Sequence, residues 1–152
     1  MKKLLLAFLL LVSTLGAETR GERNFNPGNI RPKLPVDFSK WPGSYAIDDY
    51  GALRFKKPVQ GIRAIVVVLK KYRAKGVNTP YSIVARWTYG DTTSKQKQQY
   101  AKVLCEYTGK RYNQKIDLYV THNLEMVTRA IIYYENGHDP YPESEYRKVF
   151  AK

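Results

Sequence analysis

Apolar residues recur along this chain with two different periods, and the change of period divides it. From Glu18 to Phe55 no helical repeat survives, because Pro27, Pro32, Pro35 and Pro42 are spaced too closely for one. This part is expected to be loop with short strands, the best being Gly51 to Phe55 paired with Ser44 to Ile47 across the acidic turn Asp48, Asp49. After Pro58 the spacing turns helical. Ile62, Ile65, Val66, Leu69 and Tyr72 share a face, Gly76 offers a stop, and the unbroken apolar run Ile65 to Leu69 predicts a helix buried on most sides.

Thr79 followed by Pro80 reads as the cap and first position of a second helix, carrying Ile83, Val84 and Trp87. A third is expected from near Thr93 to Gly109, burying Tyr100, Val103, Leu104 and Tyr107. A fourth runs from Thr121 with Leu124, Val127, Ile131 and Tyr134 on one face, ending at Asn136 and Gly137, which tolerate left-handed geometry. A short helix from about Glu143 completes the reading. The pattern therefore predicts an α+β fold, predominantly α, with about five helices and one short β-hairpin.

The first residues follow another rule. Lys2 and Lys3 precede an apolar run from Leu4 to Val12, and small residues follow at Ser13, Thr14, Gly16 and Ala17. That order is expected of a secretory signal peptide over residues 1–17, cleaved after Ala17. The run is shorter than the roughly 20 residues a spanning helix requires, so the chain is not expected to be integral to a membrane. Residues 18–152 fall within the usual size of one domain, with a periplasmic or extracellular location and a monomeric state as the expectation. Cys105 is the only cysteine, so no internal disulfide can staple the fold.

Charge narrows the partners. Removal of Lys2 and Lys3 leaves 24 basic residues against 13 acidic, a formal +11. Such a chain is attracted to anionic envelope polymers. Nucleic acid is permitted by the charge, but export disfavours it, and a basic nucleic-acid-binding effector stays only as a distant alternative.

Few residues are suited to catalysis. His122 and His138 are the only histidines, and neither has a second His or Cys at ligand spacing, so no metal site and no cofactor are expected. Cys105 lies beside Leu104 on an apolar helix face and reads as a structural thiol. Glu135 ends the fourth helix behind Ile131, Ile132, Tyr133 and Tyr134. Helix-end polarity and aromatic neighbours both push a carboxyl pKa upward there, as the general acid of glycosidic cleavage requires. An exposed glutamate at a frayed helix end has the same local sequence. Glu22, flanked by Arg20 and Arg23, should stay ionised and suits a charge stabiliser or base. Asp48 and Asp49 are a further source of a second carboxylate. With 13 tyrosines plus Trp41 and Trp87, many flat faces are available for sugar rings.

The stretch Arg20-Gly-Glu-Arg-Asn-Phe-Asn-Pro-Gly-Asn-Ile-Arg31 resembles the opening motif of a family of phage and prophage proteins, often labelled virion structural proteins, with the pattern R-G-x-R-N-N-N-P-G-N-I-R. Further matches follow in order at Trp41 and Gly43, Gly61-Ile-Arg-Ala64, Arg86-Trp87, Asp91, Ala130-Ile-Ile132, Glu135-Asn-Gly137 and Pro140-Tyr141. Phe25 replaces the usual Asn, and Tyr134 stands where a His often precedes Glu-Asn-Gly.

Pieces of this pattern are similar to lysozyme-like enzymes. Ala130 to Gly137 resembles the helix ending in the catalytic Glu of lytic transglycosylases, and Asn26 to Arg31 the region after that Glu in bacterial glucosaminidases, in permuted order. The resemblance implies a lysozyme-like domain cleaving peptidoglycan glycan strands, as a transglycosylase or a muramidase- or glucosaminidase-like hydrolase. Glu135 and Glu22 would be the catalytic carboxylates, and Asn24, Asn26, Asn29, Tyr50 and Tyr134 would bind substrate. The alternative it also implies is a non-catalytic envelope-binding or phage-derived structural protein.

Overall fold

The computed structural model describes residues 16–89 and 93–151. The expected leader lies outside the described residues except for Gly16 and Ala17, and so does Asp91 of the phage-like pattern. Helix α1 (Arg20–Arg23) is followed by a 3-10 turn (Phe38–Lys40), strands β1 (Ser44–Ile47) and β2 (Leu53–Phe55), and helices α2 (Pro58–Ala74), α3 (Pro80–Trp87), α4 (Ser94–Thr108), α5 (Thr121–Asn136) and α6 (Glu143–Phe150). The fold is α+β and mostly helical. Among the described residues no helix is long and apolar enough to cross a membrane.

The helix limits follow from caps. Thr79 and Thr93 each accept the amide three residues on, at 3.1 Å from Ser82 and 3.3 Å from Gln96, closing the ends of α3 and α4. Gly109 and Gly137 stop α4 and α5 in the left-handed conformation, at φ +66° and +75°. Helix α2 is buried along Ile62, Ala64, Ile65, Val66 and Leu69. It packs on α5 and α6, while α4 lies between α3 and α5, so one core joins Phe55, Ile62, Ile83, Leu104, Ile116 and Ile131.

The opening segment departs from the expected loop. Thr19 Oγ1 accepts from the Glu22 amide at 3.2 Å, and Glu22 Oε2 accepts from the Thr19 amide at 2.7 Å. This reciprocal box satisfies the donors that a four-residue helix otherwise leaves bare, which is why α1 forms. Phe25 then sits at φ +47°, a left-handed position that a bulky side chain rarely adopts.

The hairpin pairs Ser44 with Phe55 and Ile47 with Leu53, with a bulge between Ser44 and Ala46. Its turn is wound around Asp48, whose Oδ1 accepts from the amides of Tyr50 and Ala52, each at 2.9 Å.

At the far end of the core, Arg129 joins α5 to α6. Its guanidinium lies 3.7 Å from the Tyr146 ring centroid and pairs with Glu125 and Glu143, each at 2.8 Å, and with Asp139 at 3.7 Å. Tyr146 is fully buried and donates to Asp139 at 2.6 Å. Arg129→Met keeps the apolar stem and leaves three carboxylates facing one another. It should cost about 2–3 kcal/mol, read as a lower urea midpoint with an unchanged slope.

Candidate functional site

The last turn of α5 meets the opening segment through the side chain of Asn136. Its Nδ2 donates to the carbonyls of Pro27 at 2.9 Å and Ile132 at 2.8 Å, and its Oδ1 accepts from Thr19 Oγ1 at 2.6 Å. A buried amide saturated in this way fixes the helix end against Pro27 to Asn29. One residue earlier on the helix, Glu135 faces a cleft. Its Oε2 accepts from Asn29 Nδ2 at 3.1 Å and its Oε1 from the Tyr100 hydroxyl at 3.0 Å.

Tyr100 comes from α4 and is fully buried. Burial, then the charge and hydrogen bond of Glu135, push its phenol well above the ordinary value of 10, so it remains a donor at any physiological pH. The Tyr134 ring stacks on it at 3.9 Å with 14° between planes, and the Tyr134 hydroxyl donates to the Gln96 carbonyl at 3.1 Å. Asn29 is held at φ +49° by its amide bond to the Asn26 carbonyl. Its buried Oδ1 has no hydrogen-bond partner among the described residues. An asparagine that holds a carboxylate with one amide atom and leaves the other unmatched among the described residues is more than a framework residue requires.

The cleft around Glu135 measures about 240 Å3 and is walled by Arg20, Asn29, Arg31, Trp87, Tyr100 and Tyr134. Through Asn29, Arg31 and Trp87 it runs into a wider lobe of about 430 Å3 that reaches Trp41 and Arg86. On its other side Arg20 leads to a third lobe of about 220 Å3 containing Asn24, Asp48 and Tyr50. Three neighbouring cavities thus share wall residues, and the one holding Glu135 borders both of the others; together they are called the groove.

The second expected carboxylate is placed elsewhere. Glu22 does not wall the Glu135 cleft; its Oε1 faces His138 Nε2 at 3.2 Å and its Oε2 serves the α1 box. Burial would raise its pKa, but the hydrogen bonds from Thr19 and the bond and charge of His138 outweigh that and hold it below 4.5. The low pKa expected from Arg20 and Arg23 is therefore met in direction, through different partners. The carboxylate that does reach the groove is Asp48. Burial would raise it too, but the Ala52 amide, the Asn24 side chain at 2.8 Å, the Tyr50 amide and Arg20 at 3.8 Å keep it below 3.8.

Of the residues expected to touch substrate, Asn29 and Tyr134 wall the central cleft, and Tyr50 stands exposed in the third lobe beneath the Arg20 guanidinium at 3.9 Å. Asn24 reaches that lobe, with Nδ2 committed to Asp48. Asn26 does not reach the groove: fully buried, it bonds the Ile30 amide and the Ile30 and Leu53 carbonyls, each at 3.0 Å, and so clamps the opening turn to β2. Sequence reasoning passed over Arg20, Tyr100 and Asn136. The available signal was Tyr100 itself, since a tyrosine at a core position needs a partner for its hydroxyl. Cys105 is half-buried on α4, and burial raises its thiol above 9.0. Among the described residues no group of three or more His, Cys, Asp or Glu side chains is gathered as a metal would need.

Because the folded pKa values of Glu22 and Asp48 lie below their ordinary ones, each stabilises the fold above its ordinary value and loses that contribution as pH falls through the folded value. Thermal stability should be level above about pH 5 and fall steeply below about pH 4. Asp48→Asn should cost about 1–2 kcal/mol at pH 7 and flatten that acid limb, measured by urea titration at a series of pH values.

No protein-family model matches the chain. A curated relative does: over 147 residues the chain is 31% identical to Protein P5 of Pseudoalteromonas phage PM2, an alignment that spans 95% of this chain and 88% of that protein. The likeness to phage proteins read from the opening motif is supported to that extent. At this identity, held over nearly the whole of both chains, the protein belongs to the family of Protein P5 of phage PM2.

Proposed function

We propose that this phage-type protein acts outside the cytoplasm on the glycan of the bacterial envelope, and that Glu135 cleaves the strand lying in the groove. The observation that carries this reading is the placing of Glu135 in the middle of an open, aromatic-walled groove, held from two sides by Asn29 and Tyr100.

The arrangement favours a route with one working carboxyl group. Asp48 is tied to four donors of its own turn and neighbours and is separated from Glu135 by Arg20, so it is poorly placed to attack a sugar carbon. In the one-carboxyl route Glu135 gives its proton to the glycosidic oxygen as that bond breaks. The resulting carboxylate then takes a proton from the sugar's own hydroxyl as its oxygen closes on the anomeric carbon. Proton and bond count balance without water, and the product ends in an anhydro sugar. A hydrolase with two carboxylates would leave a reducing end instead.

The kinship with Protein P5 lends the enzyme no support and favours a second reading, a non-catalytic phage-derived structural protein that holds to the envelope through the same groove. Incubating the purified protein with isolated sacculi and analysing the supernatant by mass spectrometry separates the two. Soluble fragments with anhydro ends establish the one-carboxyl route, whereas sedimentation with the wall and no fragment release at any pH from 4 to 8 removes the enzyme and leaves the binding protein.

A further inference from the structure

The charges of this chain are unevenly spread. Between Asp49 and Asp91 nine Lys and Arg residues occur and no Asp or Glu, and from Gly109 to Ile116 Lys110, Arg111 and Lys115 likewise have no acid among them. The fold brings these two stretches together. The Ile116 amide donates to the Asn78 carbonyl at 2.7 Å and the Tyr81 amide to the Tyr112 carbonyl at 3.0 Å, which lays the loop after α4 along the turn between α2 and α3. Arg73, in the last turn of α2, donates to the Leu118 carbonyl at 3.0 Å and completes the seam.

Four cations stand along this seam. Lys75, Arg111 and Lys115 are exposed and Lys110 is half-buried, and none of the four side chains has a carboxylate partner among the described residues. Lys115 walls a cavity of about 330 Å3 with Arg73, Asn78, Asp117 and Tyr119. Arg73 is occupied with Leu118 and with the Tyr119 ring 4.1 Å away, and Lys71 turns toward Trp41, so neither belongs to the set. The nearest acids in sequence are also engaged, Asp117 with the Tyr119 amide at 2.9 Å and Glu106 with Lys102 at 3.9 Å. Cations gathered without acids between them repel one another, and a line of phosphates relieves that repulsion while releasing counterions.

The rings decide which kind of polyanion fits. Tyr81 and Tyr112 meet with centroids 5.1 Å apart, and Tyr119 lies beneath Arg73. Each of these rings already spends a face within the protein, so a strand of nucleic acid would find few of the stacking platforms that single-strand binding uses. We infer that this seam holds a flexible phosphodiester polymer of the envelope, built of polyol units without bases, and tethers the protein to the wall through residues that do not line the groove. The inference goes beyond the functional reading above and needs no cleavage, so each can fail without the other.

The test is a titration of the full chain against labelled poly(glycerol phosphate), with oligodeoxythymidylate of the same phosphate number and anionic phospholipid vesicles as the other probes. Affinity for the polymer should fall with salt along a log-log slope of about −2.8, as four phosphate contacts on a single strand imply. The triple variant Lys75→Gln, Arg111→Gln, Lys115→Gln should bind about tenfold more weakly at low salt, with a slope of about −0.7. The control Lys33→Gln, Lys56→Gln, Lys95→Gln removes as many exposed charges elsewhere and should change affinity less than about twofold.

If the two triple variants behave alike, whether both bind or both fail, the inference is overturned, since net charge alone or another surface then holds the polymer. Tighter binding to the oligonucleotide than to the polymer gives the seam to nucleic acid and overturns it as well. So does capture by the vesicles with no affinity for the polymer.

Discussion

Glu135→Gln is expected to reduce the release of wall fragments by about 10²–10⁴-fold while the protein keeps its fold and its sedimentation with sacculi. Gln has the shape of Glu and no proton to give. The Tyr100 hydroxyl can donate to its amide oxygen as it does to Oε1 of Glu135, now at 3.0 Å. On the other side the Gln amide nitrogen would meet Asn29 Nδ2, and a half-turn of the Asn29 amide answers that by presenting the Oδ1 that now has no partner. With these two contacts kept, the variant should still unfold in a single cooperative thermal transition.

Tyr100→Phe is the companion, because it removes one donor to the carboxyl group and leaves the stacked ring in place. Its activity should fall by about tenfold, between the wild type and Glu135→Gln. Full activity in Glu135→Gln would end the assignment of the acid. Loss of sedimentation together with activity would instead give Glu135 a part in binding.

Helices α2 to α6 were legible because their boundaries are local. Thr79 with Pro80, Thr93, Gly109 and Gly137 act within one turn of their own position, and the structure uses them where the residue types place them. The short strand Ser44–Ile47 was legible for the same reason. Helix α1 was locally legible as well, since Thr19 and Glu22 have the spacing of a capping box. The close prolines that follow drew the whole segment into one loop.

The groove was legible only in part, because it is made by contacts between distant residues. Asn29 and Glu135 meet across 106 positions of the chain, and Thr19 and Asn136 across 117. No spacing rule reaches that far. The phage-like pattern marked both ends of the contact without showing that they touch. It also could not separate the two asparagines three residues apart, of which Asn26 is buried framework and Asn29 faces Glu135. Glu22 and Asp48 are likewise similar as residues in acidic or basic loops. Only the path of the chain turns one toward His138 and the other toward Arg20 in the groove.

The second large effect is expected at a residue with no side chain. Asn136 draws the end of α5 onto Pro27, and on its other side the same segment is pressed against α2 at Gly61. A Cβ on Gly61 would overlap the Phe25 carbonyl oxygen and stand 2.8 Å from Pro27 Cδ. Neither neighbour has room to retreat. Phe25 and Asn26 are fixed by backbone bonds to Glu22 and Gly21, at 3.0 and 2.9 Å, and Phe25 already holds a positive φ. Relief would have to come from parting α2 and the opening segment, which opens the core at Ile62 and Ile65 and pulls Asn29 away from Glu135.

Gly61→Ala should therefore cost at least about 3 kcal/mol, more than overpacking a yielding site, although alanine favours a helix by roughly 1 kcal/mol over glycine. The measurement is a urea midpoint compared with Gly51→Ala, whose added Cβ meets nothing within 4 Å but sits at φ +79° and so carries backbone strain alone. If Gly61→Ala proves no more harmful than Gly51→Ala, the close approach of α2 to the opening segment is not what holds the groove in shape.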